Sequence, residues 1–248
     1  LDGDSLVAVL LQLAGPHSSA LETLRLNGNG IQPAVDGDQP SDEAHGVYEG
    51  SAAAGMESLA SLCSLLRGRS ALLSLTRLEL ADTHLGLAGI RAIADALCGT
   101  YARKVGASVA PIVHLDISRN ALCDAAGASL ARVLGHHACT LRTLRAGYNR
   151  FGLSAAQELG GAIFLNSSLR ELDLNTNSLG SAAQFIARAL PNSSLRKLDF
   201  SHCNIPQDAA FVIGYALGRS RSLTWLGLSC NPLGLNGGRA VVRAQLRG

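Results

Sequence analysis

Large aromatic rings are scarce in this chain, with one tryptophan, four tyrosines and five phenylalanines in 248 residues. Its core must be built from smaller apolar side chains. Charged residues make up only 16% against 47% hydrophobic, a balance that excludes a disordered chain. No run of eighteen uncharged apolar residues is present, so no helical membrane span can be read. The six cysteines, Cys63, Cys98, Cys123, Cys139, Cys203 and Cys230, contain no CxxC and no tight cluster. Cys63 and Cys98 fall in apolar helical patterns, and a reduced intracellular compartment, cytoplasmic or cytoskeleton-associated, is expected. Neither GxxxxGK[ST] nor a GxGxxG in a strand-turn-helix setting occurs, which leaves nucleotide binding without support. No secretory leader pattern opens the chain, and Leu1 and Gly248 both border helical patterns, so it reads as a segment of a longer protein.

What is abundant is leucine, at 43 residues. One pattern, L-x-x-L-x-L-x-x-N-x-L, recurs from near residues 21, 75, 112, 141, 169, 195 and 223. The starts are separated by 54, 37, 29, 28, 26 and 28 residues, a unit of about 28 with two insertions. Its five fixed positions are, in the fifth copy, Leu169, Leu172, Leu174, Asn177 and Leu179.

The spacing dictates the local structure. L-x-L alternates with period two, giving a short strand with leucines inward and the intervening residues on the other face. The asparagine falls where the chain turns, and its amide can satisfy backbone groups that no sheet or helix pairs. Asn29, Asn120, Asn149, Asn177, Cys203 and Asn231 are therefore expected to form a structural ladder, with Thr83 standing in the second copy. Helices are expected over 88–97, 124–134, 154–164, 181–190 and 207–217, from apolar residues spaced as in Ile90, Ile93, Ala94 and Leu97. One strand and one helix cannot bury their apolar faces alone, so the units must stack.

The pattern, the period and a full helix per repeat resemble leucine-rich repeats of the ribonuclease-inhibitor type. The resemblance implies an α/β solenoid, with parallel strands on a concave face and helices on a convex one, spanning 1–248 as one domain. That family commonly carries cysteine at the asparagine position; threonine, as at Thr83, is less usual. It includes inhibitors, sensor domains, cytoskeletal and flagellar scaffolds and Ran GTPase-activating proteins, so the resemblance fixes fold rather than function.

Two stretches depart from the period. Residues 32–53 are rich in acid, glycine and proline and read as a long exposed loop. Residues 99–111 are basic and lengthen the return to the third strand. Each is either a tolerated surface insertion or a partner-binding loop. Charge is also uneven: residues 1–60 hold one basic and nine acidic residues, whereas 61–248 hold 20 basic and 10 acidic.

The strand residues that face away from the core form columns. One is Thr23, Arg77, His114, Thr143, Glu171, Lys197 and Trp225; the next is Arg25, Glu79, Asp116, Arg145, Asp173, Asp199 and Gly227. At ~4.8 Å per strand the face spans roughly 30 Å, a protein-sized surface. Asp173 and Asp199 should be neighbours, a carboxylate pair in principle, with Arg145 and Lys197 close enough to compensate them. His114 and Asp116 share a face, but no nucleophile stands in the right relation for a triad.

His136, His137 and Cys139 are the densest set of metal-ligand types, without a visible fourth ligand. Asn166 and Asn192 each open an N-S-S triplet in the same slot before a strand, which repeat spacing explains without glycosylation. Arg239, Arg243 and Arg247 form a basic stripe on the last helix, with no interleaved aromatics to favour nucleic acid.

The function expected is a non-enzymatic protein-interaction scaffold within a larger intracellular assembly, with a cytoskeletal or flagellar setting implied by the resemblance alone. The contact residues expected are Trp225, Tyr148, Arg145, Asp116, Asp173 and Asp199. No cofactor, metal, small-molecule substrate or membrane partner is expected, and nucleic acid is disfavoured. The alternatives are a Ran-type GTPase regulator, with Arg25 or Arg145 as an arginine finger, and an inhibitor of a basic enzyme.

Overall fold

In each repeat the central leucine of the L-x-L strand is driven inward, and the next repeat offers it an equally apolar neighbour. Leu24, Leu78, Leu115, Leu144, Leu172 and Leu198 are buried one above another. The computed structural model describes residues 21–29, 31, 57–64, 66, 74–101 and 112–245. The strands are β1 (Thr23–Arg25), β2 (Arg77–Glu79), β3 (His114–Asp116), β4 (Thr143–Arg145), β5 (Glu171–Asp173), β6 (Lys197–Asp199) and β7 (Trp225–Gly227). They form one seven-stranded parallel sheet in chain order.

Helices cover the other side: α1 (Gly86–Tyr101), α2 (Asp124–Gly135), α3 (Leu153–Leu165), α4 (Ala183–Ala189), α5 (Gln207–Leu217) and α6 (Gly234–Gln245). Residues 57–64 are also helical. The result is an α/β leucine-rich-repeat solenoid. The core between sheet and helices is leucine, isoleucine and alanine, with Phe151 and Phe200 the largest wholly buried side chains.

Two expected boundaries move. The 99–111 insertion begins later than its composition suggests, because α1 runs on through Tyr101. The helix expected over 181–190 is split into a 3₁₀ turn at Gly180–Ala182, α4, and a second 3₁₀ turn at Leu190–Asn192. That repeat is two residues shorter than its neighbours, and Pro191 cannot donate the backbone bond that would prolong α4. The loop 32–53, residues 102–111, the helical pattern after Leu1 and Arg247 lie outside the described residues.

The turn after each strand carries a feature the pattern does not announce. Gly28, Asp82, Arg119, Tyr148, Thr176, His202 and Cys230 occupy the same place in successive repeats, and all have φ between 52° and 72°. This left-handed backbone aims the N–H of the first six at the next repeat: Arg119 donates to the Gly147 carbonyl at 3.0 Å and Tyr148 to that of Asn175 at 2.8 Å. Parallel bonding thus continues around the corner. Only the first copy uses glycine; a β-branched residue such as Thr176 adopts this region at a steric cost.

The asparagines bond in both directions. Asn149 Nδ2 donates to the carbonyls of Ala146 and, one repeat back, Ile117, while its Oδ1 accepts from the N–H of Asn120 and Leu122. Asn120, Asn177 and Asn231 repeat the scheme, the first two buried and Asn231 partly so. Asn29 Nδ2 donates to the carbonyls of Leu26 and Asn27 in its own repeat. Thr83 bonds the Leu80 carbonyl and the Asn120 amide. Cys203 donates its thiol to the Leu174 carbonyl at 3.1 Å, and burial pushes that thiol up to about 12.

Candidate functional site

The sheet register places the columns of the inner face. Thr23, Arg77, His114, Thr143, Glu171, Lys197 and Trp225 are directly opposite one another across successive strands, as are Arg25, Glu79, Asp116, Arg145, Asp173, Asp199 and Gly227. Period two turns them away from the leucine core. Facing the inner side does not mean facing water, however. Glu79, His114 and Asp116 are only 8%, 6% and 8% exposed, whereas Tyr148 and Trp225 are 46% and 48% exposed.

Burial at β2 and β3 follows from ion pairing. Glu79 sits between Arg25 and Arg77, 3.2 Å from each, and accepts a further bond from Asn27. Burial alone pushes the Glu79 carboxyl up, but these donors and charges outweigh it and hold the group below its ordinary value. Asp116 lies 3.9 Å from Arg145. His114 is held down from its ordinary value first by burial and then by the charges of Arg77 and Arg145. Among the described residues its Nε2 has no hydrogen-bond partner, and the lowered value favours the neutral ring among these charges.

The compensation expected for Asp173 and Asp199 includes no ion pair, and only the more distant Arg145 charge acts on Asp173. Arg145 is within ion-pair distance of Asp116 instead, and Lys197 pairs with Glu171 at 3.1 Å. The side chains cross to their direct neighbours on the adjacent strand, a choice that strand spacing alone does not decide. Asp173 and Asp199 therefore have no ion-pair partner among the described residues. Each uses one oxygen to close the strand end: Asp173 Oδ1 accepts from Asn175 N and Nδ2, and Asp199 Oδ1 from Ser201 N. Asp116 does the same with Ser118. Burial, with the neighbouring Asp199 charge, raises the Asp173 carboxyl above its ordinary value against the bond from Asn175 and the Arg145 charge.

Around this pair the face is indented. Thr143, Arg145, Glu171, Asp173, Lys197, Asp199 and Trp225 line a pocket of about 150 Å³. Gly227 makes the pocket possible, because a Cβ there would lie 2.4 Å from Asp199 Oδ1 and 2.8 Å from Trp225 Cη2. The indole thus leans over residue 227 and forms the wall beside the Asp199 carboxylate. At the rim Tyr148 carries the Arg119 guanidinium 4.0 Å above its ring. The sequence pattern places Gly227 in its column without a role and does not single out Arg119 or the Asp-x-Ser/Asn turns, although the last recur in three repeats and were visible as spacing.

Other candidates resolve locally. His136 and His137 stack with centroids 4.5 Å apart, and His136 Nδ1 accepts from Ala138 N. Among the described residues no group of three or more metal-ligand side chains converges. Asn166 is buried, its amide bonded to Leu134, Ser168 and Leu169, so it offers no glycan acceptor; Asn192 is exposed. Arg239 and Arg243 are exposed on α6. Arg25 is tied to Glu79, and Arg145 lies beside Asp116. Among the described residues no disulfide joins any of the cysteines. Among the described residues no helix is long and apolar enough to cross a membrane.

Seven parallel strands, a helix closing each full turn and an asparagine ladder between them define a leucine-rich-repeat protein. Its repeats are of the ribonuclease-inhibitor type. A Leucine Rich repeat family model matches residues 71–94 and 192–206. The chain is 36% identical over 133 residues to human NACHT, LRR and PYD domains-containing protein 12, covering 52% of this chain and 12% of that protein. It is 31% identical over 201 residues to pig ribonuclease inhibitor, covering 70% of this chain and 43% of that protein. The chain thus spans less than half the length of either relative. The tropomodulin C-terminal domain of Caenorhabditis elegans superposes with a TM-score of 0.42 at 12% identity, covering 100% of this chain and 93% of that one.

Proposed function

We propose that this solenoid binds protein partners through its inner face and the C-terminal edge of its sheet, as one part of a larger intracellular assembly and without chemistry of its own. The observation that carries this reading is the half-exposed pair of rings on that face, Trp225 and Tyr148, beside two carboxylates without ion-pair partners. Large rings that ordering costs little in entropy are frequent interface anchors, and charges around them set register. Arg145, Asp173 and Asp199 lie within reach of such a partner, whereas Asp116 is buried beside Arg145 and acts by holding it. A cytoskeletal or flagellar setting is proposed from the family resemblance alone.

Crosslinking of the full-length protein in its native extract, with the linked residues mapped, tests the reading. Links should cluster around Tyr148, Arg145 and Trp225, and Trp225→Ala should weaken the captured complex by about 2 kcal/mol or more with the melting temperature unchanged. Links confined to the outer helices, or a variant that melts early yet binds normally, would overturn it. One observation also favours the reading as an inhibitor of a basic enzyme, namely the excess negative charge at Asp173 and Asp199. A cationic enzyme among the crosslinked partners, slowed by the added chain, would select that version.

A further inference from the structure

The pocket at β5–β7 combines three properties that the rest of the inner face lacks. Asp173 and Asp199 are direct neighbours across β5 and β6. Each spends one oxygen on its own turn, and neither is ion-paired among the described residues, although Arg145 and Lys197 line the same pocket and are held toward Asp116 and Glu171. The wall beside them is the Trp225 indole, held over Gly227 where no Cβ intervenes. A carboxylate and the electron-rich face of an indole do not stabilise each other. Both are stabilised by the same third group, a planar cation.

We infer that this pocket receives an arginine side chain projecting from the protein partner, its guanidinium bonded to Asp173 and Asp199 and its plane laid against Trp225. Charge complementarity selects a cation, and the geometry selects arginine over lysine. A guanidinium presents parallel N–H donors to carboxylates and stacks on aromatic rings, which a compact ammonium cannot do together. A volume of about 150 Å³ admits a single side-chain head and excludes a folded element. Further along the same face Glu79 already holds Arg25 and Arg77, and Asp116 lies beside Arg145, so those carboxylates are not free for a second cation. This inference rests on the inner face being the binding face.

Trp225 is the only tryptophan in the chain, so its fluorescence reports the pocket directly. The 248-residue chain is titrated with a blocked Gly-Arg-Gly tripeptide and, in parallel, with the citrulline tripeptide, which keeps the shape and loses the charge. The arginine peptide should change the emission saturably with a midpoint of about 1–10 mM, ordinary for one side chain, and the citrulline peptide should not. Asp173→Asn with Asp199→Asn should weaken the arginine response at least tenfold. Gly227→Ala, which displaces the indole from the carboxylate, should do the same by an independent route; circular dichroism checks that both variants remain folded.

Equal responses to the two peptides, a response untouched by the variants, or no saturable response to arginine would each overturn the inference. A flat titration alongside inner-face crosslinks removes the arginine pocket and leaves the binding face standing. Saturable binding with crosslinks confined to the outer helices removes the binding face, and with it the partner's arginine.

Discussion

Between β1 and β4 the inner face carries three arginines against two carboxylates and pairs both, while between β5 and β7 it carries one lysine against three carboxylates and leaves two of them without an ion pair. In the first region Glu79 gathers two arginines and an asparagine, Asp116 lies beside Arg145, and His114 is packed neutral between them. In the second, Lys197 stays with Glu171, and Asp173 and Asp199 face a pocket walled by an exposed ring. One stretch of the same sheet spends its polar side chains on itself; the other holds them toward something else.

The largest expected effect comes from breaking what the two regions share. Asn149→Ala at the boundary strips partners from the N–H groups of Asn120 and Leu122 and from the carbonyls of Ala146 and Ile117. It should cost roughly 1–3 kcal/mol in urea unfolding. Cys203→Ala should cost less, since the thiol donates one bond to Leu174 where the amide works in both directions. A neutral Asn149→Ala protein would show that the ladder does not hold the stack.

The next contrast sets the regions against each other. Glu79→Gln removes a shared anion from two arginines and should destabilise by about 1 kcal/mol, a modest figure because the arginines are partly exposed. Asp173→Asn removes one of two adjacent like charges and should leave stability unchanged or slightly higher. Opposite signs in the unfolding midpoints support the contrast; two equal losses would erase it.

The pH dependence should separate them again. The folded Glu79 carboxyl lies below 4.5, so its contribution is complete above 4.5 and is lost as the pH falls through the depressed value. The folded Asp173 carboxyl lies above 3.8, so its ionised form is a burden that acidification relieves on the way down to 3.8. The advantage of Asp173→Asn over wild type should therefore shrink as the pH falls towards 3.8, while Glu79→Gln should lessen the acid loss below 4.5. Unfolding midpoints measured across that range check both signs.

The smallest effect is local. Thr176→Gly should stabilise by about 0.5–1 kcal/mol, since a β-branched residue at φ 52° is strained and glycine is not. Gly28→Ala, at the matching position of the first repeat, should shift the melting temperature the other way.

The strands and helices were legible because leucine spacing encodes them twice, once as a period within each repeat and again as the repeat itself. The asparagine positions were legible for the same reason. The fate of the charges was not. Whether Arg145 turns to Asp116 or to Asp173 depends on side-chain reach across a register that offers both. The left-handed turns also escaped notice, because Arg119, Tyr148 and Thr176 are not residues that favour that conformation. What holds them there is the next repeat, whose carbonyls take their N–H groups.

The thiol at Cys203 also changes how one junction of the stack is bonded. In a linear array each repeat is held chiefly by its two neighbours, so the weakest junction decides where the array separates. Asn231 receives the N–H groups of Cys203 and Ile205, and Asn149 those of Asn120 and Leu122. Cys203 stands where such an amide oxygen would serve the fifth repeat and offers sulfur in its place, a weak acceptor. The fifth and sixth repeats, which bring Asp173 and Asp199 side by side, are thus joined in the ladder by sulfur where the other junctions use an amide or a hydroxyl.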